Sequence, residues 1–192
     1  MQTQIESIFF TKDNFTGNKK SFRMTNGGKK LNYVSPYVYI PFGVETYNGK
    51  QILNIEVNTD KNNNLYNFLS SISQIDNMLQ NLQKDITDDQ NEHYNENNIH
   101  NENKIQIENK KYIKDLVKGK QFVSCIRNGK NGHLIRTYIK QGINIHSPDS
   151  KEFFKLSELK GRIAVIDIDL GNLWIMPDSY GYVLNVTDIM TL

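Results

Sequence analysis

Three tyrosines, Tyr33, Tyr37 and Tyr39, recur at odd positions through the stretch Tyr33-Val34-Ser35-Pro36-Tyr37-Val38-Tyr39-Ile40-Pro41-Phe42. Successive strand residues point to opposite sides, so a strand here is expected to turn Val34, Val38, Ile40 and Phe42 to a core and the three rings outward. Rings on a solvent face make a stacking platform for unpaired bases. Tyrosine also simply fits a pleated, half-buried sheet edge. A second group supplies charge. In residues 133–140, Arg136, Tyr138 and Lys140 share the face opposite Ile135 and Ile139, and Arg127 and Lys130 stand just before them. Those cations are placed to track phosphates around the Tyr138 ring.

Catalytic chemistry is harder to assemble. Asp167-Ile168-Asp169 puts two carboxylates on one face of a strand, an arrangement that can share a divalent metal as in metal-dependent transferases. The same parity sends Ala164, Ile166, Ile168 and Leu170 into a core and leaves two solvated acids outside, and no third ligand converges. We therefore expect no metal and no cofactor. His93 and His100 fall in an acidic stretch, while His133 and His146 sit near predicted strand ends. Cys125, the only cysteine, is expected to be a small buried residue, and a lone thiol excludes an intramolecular disulfide. No phosphate loop, nucleophile elbow or dinucleotide fingerprint occurs. Trp174 is expected to be a core plug rather than a base platform. The chain reads as a binding protein, not an enzyme.

Charge distribution agrees with that reading. The 192 residues carry 23 basic and 21 acidic side chains. Residues 85–103, DITDDQNEHYNENNIHNEN, hold six of the acids and no Lys or Arg, so the remainder has 23 against 15, a surplus of +8. This stretch has too few large apolar residues to offset the entropy of ordering it and is expected to be a disordered insertion. The basic remainder is the footprint of a polyanion-binding surface. The first residues lack the basic segment and apolar run of a signal peptide, and no segment reaches the roughly 20 apolar residues needed to span a bilayer. A soluble, intracellular protein is expected.

The elements that must position these groups are mostly strands. Asn26-Gly27-Gly28-Lys29-Lys30 forms a flexible turn into the tyrosine strand, and Tyr47-Asn48-Gly49-Lys50 a tight turn into a half-buried strand over 51–57. The period then changes: Leu65, Phe68, Leu69, Ile72, Ile75, Met78, Leu79 and Leu82 predict a helix over 65–83. A short basic helix or an extended linker follows at 110–118. Strands resume at 121–127 and 133–140 around a Gly-rich hairpin, and two more meet at Pro177-Asp178. A single domain over 1–192, mainly β (α+β), is expected: an OB-type five-stranded barrel with one long inserted helix and the acidic insertion, a β-sandwich being the other solution.

Ser35-Pro36-Tyr37-Val38-Tyr39-Ile40-Pro41-Phe42-Gly43, the helix after it, and the ending Gly171-Asn172-Leu173-Trp174 through Tyr180-Gly181-Tyr182-Val183-Leu184 resemble the OB-fold single-stranded DNA-binding proteins of large nucleocytoplasmic DNA viruses, which are related to those of some tailed phages. The resemblance covers both ends of the domain and leaves the middle unanchored. It implies sequence-nonspecific coating of single-stranded DNA in viral replication or recombination, contact with a viral polymerase or helicase, and residence at the viral replication site in host cytoplasm or nucleus. The implied site is Tyr33, Tyr37, Tyr39, Arg127, Lys130, Arg136, Tyr138 and Lys140. Many such proteins end in an acidic tail, whereas residues 186–192 read as a continuing strand, so the acidic stretch is expected to compete with DNA instead. A homo-oligomer stays open. The other reading is a β-rich structural or scaffold protein of a virion, whose exposed tyrosines make protein contacts.

Overall fold

The computed structural model describes residues 8–59, 63–83, 101–148 and 154–192. Eleven strands join one hydrogen-bonded sheet. The first two, β1 (Ile8–Thr16) and β2 (Lys19–Asn26), form an antiparallel hairpin that turns at Gly17-Asn18, where Gly17 takes φ +53°. Composition hides this hairpin because lysines occur on both of its faces; the signal is the alternation of buried Phe22 and Met24 with Ser21 and Arg23.

Five strand positions close on themselves. In chain order they are β3 (Asn32–Val34) with β4 (Val38–Ile40), then β6 (Lys50–Val57), β9 (His133–His146), β10 (Arg162–Ile175) and β11 (Ser179–Thr191). Strand β4 pairs with β6, β6 with β9, β9 with β11, β11 with β10, and β10 back with β3 and β4. Only the β9–β11 pair in this ring is parallel. The result is a closed OB-type barrel whose fully buried interior includes Ile40, Leu53, Ile55, Ile135, Ile166, Ile168, Leu184 and Val186. Each such side chain stabilises the fold by roughly 1.5–3 kcal/mol relative to exposure. Strand β5 (Val44–Tyr47) pairs with β6 through the Asn48-Gly49 turn, with φ of 50° and 72°, and β7 (Gln121–Val123) and β8 (Ile126–Asn128) pair with β11 and β9.

Two helices stand in the connection between β6 and β9. Helix α1 (Asn63–Asn81) buries the predicted stripe Phe68, Ile72, Ile75 and Leu79. Asp76 on the same face accepts a hydrogen bond from the Tyr182 hydroxyl at 2.6 Å and another from Ser124 Oγ, and Tyr180 donates to the Leu79 carbonyl at 3.1 Å. Burial pushes the Asp76 carboxyl up, against the pull of those two donors. Helix α2 (Asn101–Val117) includes the expected basic segment and ends before Gly119, φ +71°. It begins nine residues earlier than that segment. Residues 85–100, with His93 and His100, lie outside the described residues. No helix among the described residues is long and apolar enough to cross a membrane.

The tyrosine strand differs from its expected parity. Four residue steps from Val34 to Val38 are matched by three from Asp167 to Ala164 on β10, so Ser35-Pro36-Tyr37 contains one extra residue. Ser35 anchors this bulge: its amide donates to the Ile166 carbonyl and its Oγ accepts from the Ile166 amide. A one-residue insertion reverses the pleat. Tyr33 is therefore buried at 7% exposure and Val34 is 66% exposed, while Val38 and Ile40 point inward as expected. Phe42, expected inside, is 52% exposed beyond the strand end. Burial pushes the Tyr33 hydroxyl up to about 12, and it has no hydrogen-bond partner among the described residues. Tyr33→Phe should accordingly leave stability unchanged or raise it by about 1 kcal/mol. Thermal unfolding checks this, and a marked loss of Tm would mean that the hydroxyl has a partner.

Candidate nucleic-acid interface

Two clefts of about 630 and 420 Å³ meet on the outer surface where β2, β9, β10 and β11 come together. Lys19, Lys50, Trp174 and Val183 line both, so they form one continuous groove. Strand parity supplies its walls. Ser21 and Arg23 alternate along β2 with buried Phe22 and Met24, and Arg136 and Tyr138 alternate along β9 with buried Ile135 and Thr137. The Asn48-Gly49 turn brings Tyr47 and Lys50 to the rim.

Flatness at the waist comes from glycine. A Cβ on Gly181 would stand 2.5 Å from the Val123 carbonyl oxygen and 2.8 Å from the Trp174 ring; one on Gly171 would meet the Asn185 amide at 2.5 Å. The bare backbone lets the indole lie against β11, where its Nε1 donates to the Tyr182 carbonyl at 3.4 Å. Trp174 is thus half-buried in the groove wall rather than a core plug.

Seven cations line the groove, Lys19, Arg23, Lys30, Lys50, Arg127, Arg136 and Lys140, against one acid, Asp169. The Arg136 guanidinium lies 4.4 Å from the Tyr47 ring centroid, and Lys50 Nζ lies 5.8 Å from that of Tyr138. These contacts hold charge beside rings. Arg136 Nε is buried without a protein partner among the described residues. Burial raises the Tyr138 hydroxyl, leaving it neutral at physiological pH.

Asp169 is not the solvated acid its strand position suggested. Its side chain is 2% exposed and is held by Lys30 and, at 2.9 Å, by Lys140. Burial alone would raise its carboxyl, but hydrogen bonds from the two lysines overcome that and hold it below the ordinary range. A lowered folded pKa contributes stability above the unfolded value and loses it only as pH falls through the folded one, in acid. Asp167 instead stands directly across from Asp188, which His146 approaches at 3.6 Å, and its carboxyl is raised by burial and by those neighbouring acids. Among the described residues no group of three or more His, Cys, Asp or Glu is placed to hold a metal. Cys125 is buried, and burial pushes its thiol up to about 12.

The groove brings together Arg127, Arg136, Tyr138 and Lys140 of the sequence-predicted site. Tyr33 is excluded because its ring belongs to the core. Tyr37 and Tyr39 are exposed, but line neither cleft: Tyr39 pairs with exposed Ile163 on β10, and Val34 and Phe42 are exposed nearby in the chain. Lys130 is exposed in the β8–β9 turn, also outside the clefts. Sequence reasoning missed Lys19, Arg23, Lys30, Tyr47 and Lys50. The available signals were the alternation in β2 and the Asn-Gly turn, which necessarily sets Tyr47 beside Lys50. No protein-family model matches the chain, and no curated protein matches it.

Proposed function

We propose that this protein binds single-stranded DNA without sequence preference, in the groove just described. One observation carries the reading: cations and rings occupy the face of the second and third ring strands, between the first-to-second connection at Tyr47-Asn48 and the fourth-to-fifth connection at Met176. That is the face and loop pair with which OB barrels hold oligonucleotides. Tyr138 and Trp174 offer stacking surfaces usable by any base, while Arg127, Arg136, Lys50 and Lys19 neutralise phosphate. A duplex hides its base faces, so the groove favours the unpaired strand. The resemblance to viral single-stranded DNA-binding proteins extends this to coating replication or recombination intermediates of a DNA virus, with its polymerase or helicase as partner.

Fluorescent oligo(dT) and the matching duplex, each titrated at two salt concentrations, test the reading. Saturable binding to the single strand that weakens as salt rises is expected, because phosphate contacts release counterions. No binding at low salt would move the assignment to a structural protein. That second reading has its own observation, the exposed Val34, Tyr37, Tyr39, Phe42 and Ile163 on and beside the outer faces of β3, β4 and β10, a surface suited to protein contacts.

A further inference from the structure

The β1–β2 hairpin has two faces, and the groove uses only one. Lys20 and Phe22 point to the other side, toward α2. There Tyr112 packs edge-on to Phe22 with ring centroids 6.3 Å apart, and its own ring gathers Lys12 Nζ at 5.0 Å and Lys20 Nζ at 5.7 Å. Two ammonium groups from different strands are thereby held beside one ring, each with donors left for an anion. A third cleft of about 250 Å³ connects the two faces at the hairpin tip, lined by Gly17, Asn18, Lys20 and Lys120 with Met176 and Pro177. Met176 also lines the groove, and Lys19, adjacent to Asn18, lines both of its parts. Lys19 in the groove, Lys20 and Lys120 at the tip, and the Lys12–Tyr112–Lys20 cluster thus follow one another around the hairpin, while Asp13, next to Lys12, pairs with Arg23 at 3.6 Å. On α2 the exposed acids Glu108 and Asp115 stand four residues before and three residues after Tyr112, about one turn to either side of it.

We propose that the Lys12–Tyr112–Lys20 cluster is a second phosphate-binding subsite that takes the single strand as it leaves the groove and passes around the hairpin tip. This rests on the groove reading and adds to it a site longer than the barrel face. The Tyr112 ring serves here to hold two cations, so this subsite contributes phosphate contacts and no stacking.

The test is a length series of fluorescent oligo(dT), from about 6 to about 20 nucleotides, spanning the range of OB-fold site sizes. The intact protein is expected to gain affinity and salt dependence with length. Lys12→Glu/Lys20→Glu should bind the shortest oligonucleotide as the parent does, yet lose about tenfold on the longest. The milder Lys12→Gln/Lys20→Gln should flatten the salt slope on the longest by about 1.4, or 0.7 for each lost phosphate contact. Parental affinity and slope at every length in the Gln pair, with a parental Tm, would overturn the subsite and leave the groove intact. Failure of the parent to bind any length would overturn the groove and the subsite together.

Discussion

Reversing two groove charges, Lys50→Glu with Arg127→Glu, is expected to reduce affinity for oligo(dT) by about a hundredfold or more at low salt, since two phosphate contacts are lost and two repulsions introduced. Both side chains are exposed at the rim, and neither makes an ion pair with a described residue at bonding distance. Removing Lys50 releases only its contact with the Tyr138 ring, so the barrel should melt within a few degrees of the parent. Titrations at several salt concentrations provide the check. The reversed pair should show a flatter slope as well as weaker binding, because the slope counts displaced counterions. Equal affinity in parent and variant would remove nucleic acid from the groove. A loss of affinity at constant slope would mean that rings, not cations, dominate.

The largest stability effect should come from Phe22→Ala. Phe22 is fully buried, pairs across to Leu173 on β10, and takes the edges of both Phe15, at 5.3 Å, and Tyr112. It therefore joins the hairpin, the barrel and α2 at one point. Truncation should cost about 3–5 kcal/mol, combining lost transfer energy with the cavity left behind. In a chain of this length that lowers Tm by roughly 6–20 °C. The hairpin supplies Lys19 and Arg23 to the groove, so the folded variant should also bind oligo(dT) more weakly at a temperature well below its Tm. Unchanged melting would show that the hairpin contributes little to the cooperative unit.

What could be read from the sequence follows from the range of the physics involved. Helix α1 was legible because a 3.6-residue stripe without Pro or Gly depends on the segment alone, and the Asn48-Gly49 turn because positive φ is a local requirement. The final strand was legible from its run of β-favouring residues after the Pro177-Asp178 turn. Tyr33 was misplaced because a single inserted residue at Ser35-Pro36-Tyr37 reverses a period of two, and its cause lies on a partner strand more than a hundred residues away. Asn54, a polar residue on the half-buried strand over 51–57, is buried because it donates to Glu45 on the neighbouring strand at 2.6 Å, a partner the segment alone does not reveal. Asp169 required two lysines from distant segments to become a buried carboxylate, and Trp174 required Gly181 beneath it. The groove cations on β9 were found because they share one strand. Those on β2 were not, because only its pairing with β10, about 150 residues on in the chain, brings β2 to the groove.

Strand β11 has a consequence for how the chain reaches this structure. It is the stave that closes the ring, inserted between β9 and β10, and its parallel contacts with β9 join residues 44 to 47 apart, as Asp188 with Asn144 and Asn185 with Tyr138. Before it docks, β9 and β10 each present a row of unpaired amides and carbonyls to solvent, a template for another chain. Closure over that separation is entropically slow compared with forming the hairpins. The vulnerable species is thus the chain in which β11 has yet to dock, and chaperones that shield strand edges would act during that interval. Once closed, β9, β10 and β11 together line the groove, so any ligand seated across it clamps the closing stave and holds the barrel shut by mass action.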